Sequence, residues 1–176
     1  MSAVGTLAVR EARPDEHAAA GRLLVAVYAG LPGFPSPQEQ PGYYTMLAEV
    51  GTLAAKPGVK LLVADGADGA LAGVVLYFGD MAQYGSGGVA TTLRDAAGIR
   101  LLAVDPAQRG GGVGRALTEA CIARARAAAC RAVVLHTTRA MPTAWALYER
   151  MGFARDAALD FDQQGLPVFG FRLPLA

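Results

Sequence analysis

The spacing of apolar and polar residues predicts a strand followed by a helix at the start of the chain. Residues Leu7 to Glu11 alternate with a period of two, which is typical of a half-buried strand. Pro14 then opens an apolar run with helical spacing that continues to about Tyr28. Two acidic residues follow this proline, where the positive end of a helix dipole favours them.

The next segment predicts a strand hairpin between irregular stretches. Gly30 to Gly42 carries four prolines and is expected to contain no regular element, whereas a short helix is expected over Tyr43 to Val50. Lys60 to Ala64 and Ala70 to Phe78 predict strands, because Asp-Gly turns lie between them. Gly79 to Ala96 contains four glycines and few large apolar side chains, so we expect a mobile loop.

The second half of the chain predicts buried strands that alternate with helices. The strands are Ile99 to Val104, Ala132 to Thr138 and a last one over Leu166 to Leu173, and the helices are Val113 to about Cys130 and Pro142 to Met151. The strands Ile99 to Val104 and Ala132 to Thr138, connected through the first of these helices, are expected to pair in parallel. The turn-rich stretch Asp156 to Gly165 precedes the last strand. With no linker or repeat, residues 1–176 are expected to form one domain.

The overall composition narrows the class of protein. The 16 Lys and Arg nearly balance the 15 Asp and Glu, so no global field points to nucleic acid or to an acidic membrane. Apolar residues make up 53% of the chain, which argues against disorder. The longest apolar stretch is far short of the roughly 20 residues that a bilayer requires, and no segment of signal-peptide type is present. We expect a cytoplasmic protein without a membrane partner.

Cysteine and histidine provide no metal site. Cys121 and Cys130 lie nine positions apart in one predicted helix, on opposite sides of its axis, and cannot pair there. With only two histidines and no CxxC motif, zinc ligands are lacking.

The strongest chemical signal is the run from Val104 to Gly114, which leaves a strand, turns at Pro106 and leads into a helix. Its four glycines allow successive backbone N–H groups to converge on one anion, and the helix N-terminus adds further donors. A pyrophosphate fits this arrangement. A flexible turn would have the same composition, so the run alone leaves both interpretations open.

Two families of phosphate-binding loop fit poorly. A Walker-type loop needs Lys and then Ser or Thr after its last glycine, whereas Arg115 and Ala116 follow Gly114. A dinucleotide-binding loop needs an acidic residue about 20 positions onward, where this chain has His136 to Thr138.

The loop resembles that of the GNAT superfamily of N-acetyltransferases, whose pattern is Arg or Gln, two residues, Gly, one residue, then Gly or Ala. Arg109, Gly112 and Gly114 match this pattern. Two further pieces match in order and spacing, namely Leu102-Ala103-Val104-Asp105-Pro106 before the loop and Ala144-x-x-Leu147-Tyr148-Glu149-x-x-Gly152-Phe153 after it. The N-terminal pattern of elements extends the resemblance to most of the chain.

The resemblance implies an α+β fold, an α/β/α sandwich whose mixed central sheet is flanked by helices. It also implies that acetyl-CoA binds at the splayed strands before and after the helix that follows the glycine-rich loop. The pantetheine arm would pair with strand backbone, and the loop would hold the pyrophosphate. The cofactor-binding residues implied in this way are Leu102, Ala103, Val104, Arg109, Gly110, Gly111, Gly112, Val113, Gly114 and Arg115.

The activity that the resemblance implies is transfer of an acetyl group to a primary amine of a small molecule or peptide by direct attack. The backbone N–H of Val104 would face the carbonyl oxygen, and the Tyr148 hydroxyl would act as general acid. Spacing alone also allows Tyr148 to be a core residue, since it continues an apolar helical stripe. The family pattern favours the catalytic interpretation.

The general base is left open by the sequence. Many family members place a glutamate in the first half of the strand before the loop, where this chain has Ala97 to Arg100. The alternatives are Asp95, His136, Glu49 and an ordered water chain. A lone histidine in a buried strand is more often a hydrogen-bonded core residue. An asparagine common before the last helix is also replaced, by Met141.

The walls of the acceptor site are expected to come from three segments: the proline-rich loop Gly30 to Gly42, the glycine-rich loop Gly79 to Ala96, and the segment that contains Asp156, Asp160 and Asp162. These aspartates could attract a cationic amine, or they could be solvated turn residues. A homodimer is compatible with the resemblance. Two other functions stay open, a GNAT-like module that holds acyl-CoA without turnover and a regulator that binds ATP or NAD on the same loop.

Overall fold

The computed structural model describes residues 7–176, and its core is one mixed β-sheet. In chain order the elements are β1 (Val9–Glu11), α1 (His17–Ala29), α2 (Pro41–Ala48), α3 (Val50–Ala54), β2 (Val59–Asp65), β3 (Leu71–Phe78), β4 (Ala96–Val104), α4 (Val113–Ala127), β5 (Ala132–Thr137), α5 (Pro142–Arg150), β6 (Ala154–Arg155), β7 (Phe161–Gln163) and β8 (Leu166–Pro174).

The order of strands in the sheet is β1-β2-β3-β4-β5-β8-β6, and β7 pairs with β8. Strands β4 and β5 are parallel, whereas all other neighbouring pairs are antiparallel. Among residues 7–176 the one parallel pair is connected through α4, as expected for a strand-helix-strand crossover. The predicted hairpin and the predicted parallel pair are both confirmed.

Helices cover both faces of the sheet. Helices α1, α2 and α3 pack on one face around Leu24, Leu47 and Val50, and α4 and α5 pack on the other around Leu117 and Tyr148. Gly21 of α1 lies against the backbone of α2 so closely that a Cβ there would collide with the Ala48 carbonyl group. The predicted α+β fold, with a mixed sheet between helices, is therefore confirmed.

Several predicted boundaries are wrong, each for a local reason. The helix predicted over Tyr43 to Val50 begins at Pro41, because a proline is well tolerated in the first turn, and it is interrupted at Glu49. Helix α4 ends at Ala127, so Cys130 lies beyond it rather than within it. Both cysteines are free thiols.

The segment between β3 and β4 is better packed than its composition suggests. Tyr84 is fully buried and Met81 nearly so, and the segment forms two short 3₁₀ turns, Met81–Gln83 and Ala90–Thr92. The aromatic ring of Tyr84 lies where a side chain on Gly98 would otherwise be. The expectation that this segment lacks large apolar anchors is wrong, since one tyrosine provides such an anchor.

Two strands in the last 25 residues are absent from the predicted elements. Strand β6 has two residues, and β7 pairs Phe161 with Val168 within the stretch assigned to turns. Neither is long enough to leave a periodic pattern in the sequence. Among the described residues, no helix is long and apolar enough to cross a membrane.

Candidate active site

Strand β4 contains a β-bulge at its centre. Its pairing with β3 joins Ala103 to Val74 but Arg100 to Leu76, so two residues of β4 lie opposite Val75. Leu101 has φ of +57°, which is rare for leucine and marks the irregularity. As a result Arg100 and Leu101 both face the α1 side, where alternation would have placed them on opposite faces.

Strands β4 and β5 separate just before this bulge. They pair from Ala96 opposite Ala132 to Ile99 opposite Leu135, and no further. Strand β5 continues along β8 to Thr137. A gap therefore opens between the two parallel strands, and one side of β4 has no strand to pair with there.

The backbone of Val104 faces this gap. The N–H of Asp105 donates to the Ala72 carbonyl oxygen at 2.8 Å, across to β3. Because successive residues of a strand direct their N–H groups to opposite sides, the N–H of Val104 points away from β3. Leu102 shares this orientation, whereas the backbone of Ala103 pairs with Val74. Of the three strand residues predicted to bind the cofactor, Ala103 thus has its backbone groups directed away from the gap.

The glycine-rich loop follows immediately. The Asp105 carboxylate accepts from the Ala107 N–H at 2.9 Å and starts a short turn. Gly110 and Gly112 have φ of +83° and +81°, a left-handed conformation that favours glycine. Gly112 is also the N-cap of α4.

The loop presents a series of unused backbone donors. The first backbone bond of α4 runs from the Ala116 N–H to the Gly112 carbonyl oxygen, at 2.9 Å. Within residues 7–176, none of the N–H groups from Arg109 to Arg115 donates to a protein acceptor. Such donors at the N-terminus of a 15-residue helix are able to bind an anion, which is the role that the glycine pattern predicts.

The side chains of the loop contribute less than its backbone. Arg115 is 55% exposed and pairs with Glu119 at 2.9 Å, and Arg109 is exposed. Gly114 lies between β4 and α5, where an added Cβ would stand 3.4 Å from Leu147 and 3.6 Å from Val104. The end of the glycine-rich loop therefore lies directly beside the gap between β4 and β5.

Tyr148 of α5 lies on the face of the sheet that α4 covers, within the same apolar cluster. Its side chain is 4% exposed and its ring packs edge-on against Phe153 at 5.8 Å. Burial raises the pKa of this phenol well above its ordinary value, so the hydroxyl is protonated at neutral pH. In the described part of the chain, no protein group hydrogen bonds to that hydroxyl.

A cavity of about 70 Å³ begins where the strands separate, on the opposite face. The residues directly after the last paired positions line it, Arg100 and Leu101 from β4 and His136 and Thr137 from β5. Aromatic side chains from α1, α2 and β7 complete its walls. Its position next to the gap makes it the candidate site for an acceptor.

His136 forms hydrogen bonds through both ring nitrogens. Its Nε2 lies 2.8 Å from the Leu159 carbonyl oxygen, and its Nδ1 lies 2.8 Å from the Tyr84 hydroxyl. Because a carbonyl only accepts, Nε2 carries the proton and Nδ1 accepts from Tyr84. Burial lowers the pKa of His136, with the nearby Arg100 charge acting in the same direction, and the ring is therefore neutral at pH 7.

The structure separates the other candidates for a general base from this cavity. Asp95 is exposed at the start of β4, nine residues before Val104, a distance of roughly 25 to 30 Å along a strand. Glu49 is exposed between α2 and α3. Of the residues weighed as bases, only His136 lines the cavity.

The aspartates near the end of the chain are engaged elsewhere. Asp160 accepts two bonds from Arg155, at 2.7 and 2.8 Å, and Asp156 accepts from Arg172 at 3.0 Å. Asp162 accepts from the Gly165 N–H of its own turn. The interpretation of these residues as structural turn residues therefore fits better than attraction of a cationic amine.

Arg100 is the residue of this site that the sequence did not indicate. It lies in the stretch Ala97 to Arg100, where the resemblance predicted a carboxylate, and its side chain enters the cavity. The bulge breaks the regular alternation of β4, so no periodic pattern in the sequence indicates this direction. No cluster of three metal-ligating side chains occurs in residues 7–176.

Comparison with known proteins agrees with this geometry. Residues 6–153 match the model of the acetyltransferase (GNAT) family. A mycothiol acetyltransferase from Streptosporangium roseum is 40% identical over 57 residues, which are 32% of this chain and 17% of that protein.

Solved structures share the fold over nearly the whole chain. A GNAT-family acetyltransferase from Staphylococcus aureus superimposes with a TM-score of 0.70 at 12% identity and covers 97% of this chain and 99% of its own. A putative acetyltransferase from Salmonella typhimurium, solved with acetyl-CoA, gives 0.66 at 19% identity and covers 97% and 94%. From its loop, its splayed strands and the family match over most of its length, the chain belongs to the GNAT family of acetyltransferases.

Proposed function

We propose that this protein, acting as one domain, transfers the acetyl group of acetyl-CoA to a primary amine of a small molecule or peptide. One observation carries the proposal: unpaired strand backbone and unused loop N–H groups adjoin the gap between β4 and β5, and the unpartnered Tyr148 hydroxyl lies on α5, which packs beside Gly114. A structural role would not require these three features together.

The residues around the gap fit the shape and charge of acetyl-CoA. The free backbone groups of Leu102 and Val104 match an extended arm with amide groups, such as pantetheine, which would lie along β4 as an added strand. The N–H groups from Arg109 to Arg115 match a pyrophosphate. The side chain of Arg109 is free to add a charge at the exposed edge.

The chemistry assigns a role to each group. Acetyl-CoA supplies an activated acyl carbon, and the amine nitrogen forms a bond to that carbon while the carbon–sulfur bond breaks. The Val104 N–H donates to the carbonyl oxygen, where negative charge develops. The Tyr148 hydroxyl gives its proton to the departing sulfur, and its raised pKa keeps that proton available at neutral pH.

The amine must lose a proton before it attacks, and we assign that proton to water. Asp95 and Glu49 lie outside the cavity. His136 uses both ring nitrogens in hydrogen bonds, so it has no lone pair available to the substrate. A water chain in the cavity is the remaining candidate, because the stretch Ala97 to Arg100 contains no carboxylate.

The test is to measure CoA thiol release from acetyl-CoA with a broad panel of amines, in wild type and in Tyr148→Phe. We expect Tyr148→Phe to lower kcat by about 100-fold or more while acetyl-CoA affinity changes little. Tyr77→Phe is the matched control, because Tyr77 is also a buried phenol but lies on β3, which pairs with β4 on the side away from the gap. Wild-type kcat in Tyr148→Phe would contradict the acid role.

A second outcome would favour a different function. If the protein binds acetyl-CoA but no amine in the panel gives turnover, the alternative of a non-catalytic acyl-CoA-binding module gains support. Calorimetry with CoA, ATP and NAD separates a third possibility, since preference for a nucleotide without pantetheine would contradict the proposed co-substrate.

A further inference from the structure

The charge of Arg100 has no counter-charge in the described structure. The residue is half-buried, and none of the ion pairs among residues 7–176 includes it. Its Nη1 donates to the Tyr84 carbonyl oxygen at 2.9 Å, and its Nη2 lies 3.7 Å from the Met46 sulfur. Most of its N–H donors are therefore left for another acceptor.

The surroundings of Arg100 hold the guanidinium in place but do not neutralise it. Its central carbon lies 5.9 Å from the ring centres of both Phe78 and Tyr84. No carboxylate is among the residues that line the cavity. A partly desolvated cation without an anion is costly, and a ligand that supplies the anion recovers part of that cost.

A second group in the same cavity also lacks a partner. The hydroxyl oxygen of Ser86 is buried and, of the side-chain groups in residues 7–176, is the one found buried without any hydrogen bond. The neighbouring Tyr84 hydroxyl gives its proton to His136, so towards Ser86 its oxygen can act only as an acceptor. Within the described residues no protein group donates to the Ser86 oxygen, and its O–H can rotate toward the cavity, so this hydroxyl is available to a ligand there.

We propose that Arg100 and Ser86 form a subsite for a carboxylate of the acceptor, so that the protein acetylates amines that carry a free carboxylate close to the nitrogen. A guanidinium binds a carboxylate through two parallel N–H bonds, and a serine hydroxyl can add a third. The cavity of about 70 Å³ suits a compact group of this kind. The inference rests on the proposed function and deepens it.

The subsite selects among the acceptors named above. An amino acid keeps its carboxylate beside the amine, whereas the N-terminal residue of a peptide has an amide at that position. The polarity of the cavity therefore favours free amino acids over peptide N-termini and over simple cationic amines, because its only formal charge is positive.

The kinetic experiment compares matched acceptors that differ at one group. Each amine is supplied as the free amino acid, its carboxamide and the decarboxylated amine, with acetyl-CoA in excess. For the best acceptor, wild-type kcat/KM is expected to be ~10-fold or more higher for the free acid than for the carboxamide. Arg100→Gln should abolish this preference through a raised KM for the free acid.

Two further variants distinguish loss of the carboxylate subsite from a general folding defect. Arg100→Lys keeps the charge but loses the forked geometry and should retain only part of the preference. Ser86→Ala removes one donor and should raise KM for the free acid alone, by about fivefold. A wild type that uses the carboxamide or the decarboxylated amine as well as the acid would overturn the proposal, as would an Arg100→Gln variant that keeps the preference.

A binding measurement keeps this inference distinguishable from the proposed function. Butyrate and butyramide are titrated separately into the complete wild-type protein and into Arg100→Gln, without any turnover. Butyrate is expected to bind wild type at least ~10-fold more tightly than butyramide does, and Arg100→Gln should lose this difference. Selective butyrate binding without turnover of any amine would contradict the proposed function alone, whereas equal binding of the two probes would contradict the subsite.

Discussion

The Asp105 N–H donates to the Ala72 carbonyl oxygen at 2.8 Å, and this bond determines where the N–H of Val104 points. Since Asp105 pairs across to β3, the preceding N–H is turned to the gap between β4 and β5. The strand thus has one side bonded to the sheet and the other side available.

A proline at position 104 tests this relationship. Val104→Pro removes the N–H that faces the gap and leaves the bonds to β3 intact, so we expect a folded protein with kcat lowered by about 100-fold. Ala103→Pro is the contrasting variant, because it removes a bond of the ladder to Val74 and should lower the free energy of unfolding. Steady-state kinetics and urea unfolding measure the two effects. Full activity in Val104→Pro would exclude the backbone N–H as oxyanion donor.

Gly112→Ala tests the backbone conformation of the loop. Gly112 has φ of +81°, so alanine there is strained by about 1 kcal/mol and should lower stability and weaken acetyl-CoA binding together. The neighbouring Gly111 has no positive φ, and Gly111→Ala should leave the free energy of unfolding nearly unchanged. Calorimetric binding and urea unfolding provide the two measurements. Equal stability of both variants would contradict the assigned loop conformation.

Stability is expected to fall at mildly acidic pH because of His136. Its pKa is lowered in the folded protein, so the unfolded chain binds more protons in the window below its ordinary value of 6.5. The free energy of unfolding should therefore decrease as pH falls from about 6.5, and this decrease should shrink in His136→Gln. His17→Gln is the control and should keep it. Asp160 does not account for this decrease, because its pKa is lowered from 3.8 and it therefore affects stability only at more acidic pH.

Unfolding at several pH values between 5 and 8 checks this expectation for the three proteins. A decrease of equal size in wild type and His136→Gln would show that the His136 ring is not the group responsible.

Gly98→Ala tests the contact that orders the segment before β4. A Cβ at this position would stand 2.5 Å from the Cδ2 atom of Tyr84, so the ring must move and its bond to His136 must lengthen. We expect a loss of about 1 to 3 kcal/mol of stability from overpacking. Gly42→Ala is the control, because nothing lies within 4 Å of a Cβ there. Unchanged stability in Gly98→Ala would contradict the close packing of Tyr84.

The sequence predicted the elements whose apolar residues are strongly periodic, and it predicted the loop that is rich in glycine. The hairpin of β2 and β3, the crossover through α4 and the glycine-rich turn follow from patterns that local residues carry by themselves. The shift of the α2 start to Pro41 and the end of α4 at Ala127 are boundary errors, because helix ends depend on capping geometry.

The acceptor side of the site could not be predicted in the same way. Arg100 occupies a strand position whose direction depends on the bulge at Leu101, and a single residue of irregular pairing leaves no periodic signal. Tyr84 lies in a glycine-rich segment that composition assigned to a mobile loop, yet it is fully buried against Gly98. Burial of one side chain is decided by its distant neighbours.

The sequence by itself therefore determined the family, the order of the strongly periodic elements and the glycine-rich loop, because glycine conformations and helix termini act over a few neighbouring residues. Tertiary structure alone decided where β4 and β5 separate, which backbone N–H faces the gap and which charge enters the acceptor cavity. These depend on strand register, and register is set by pairing between segments far apart in the chain.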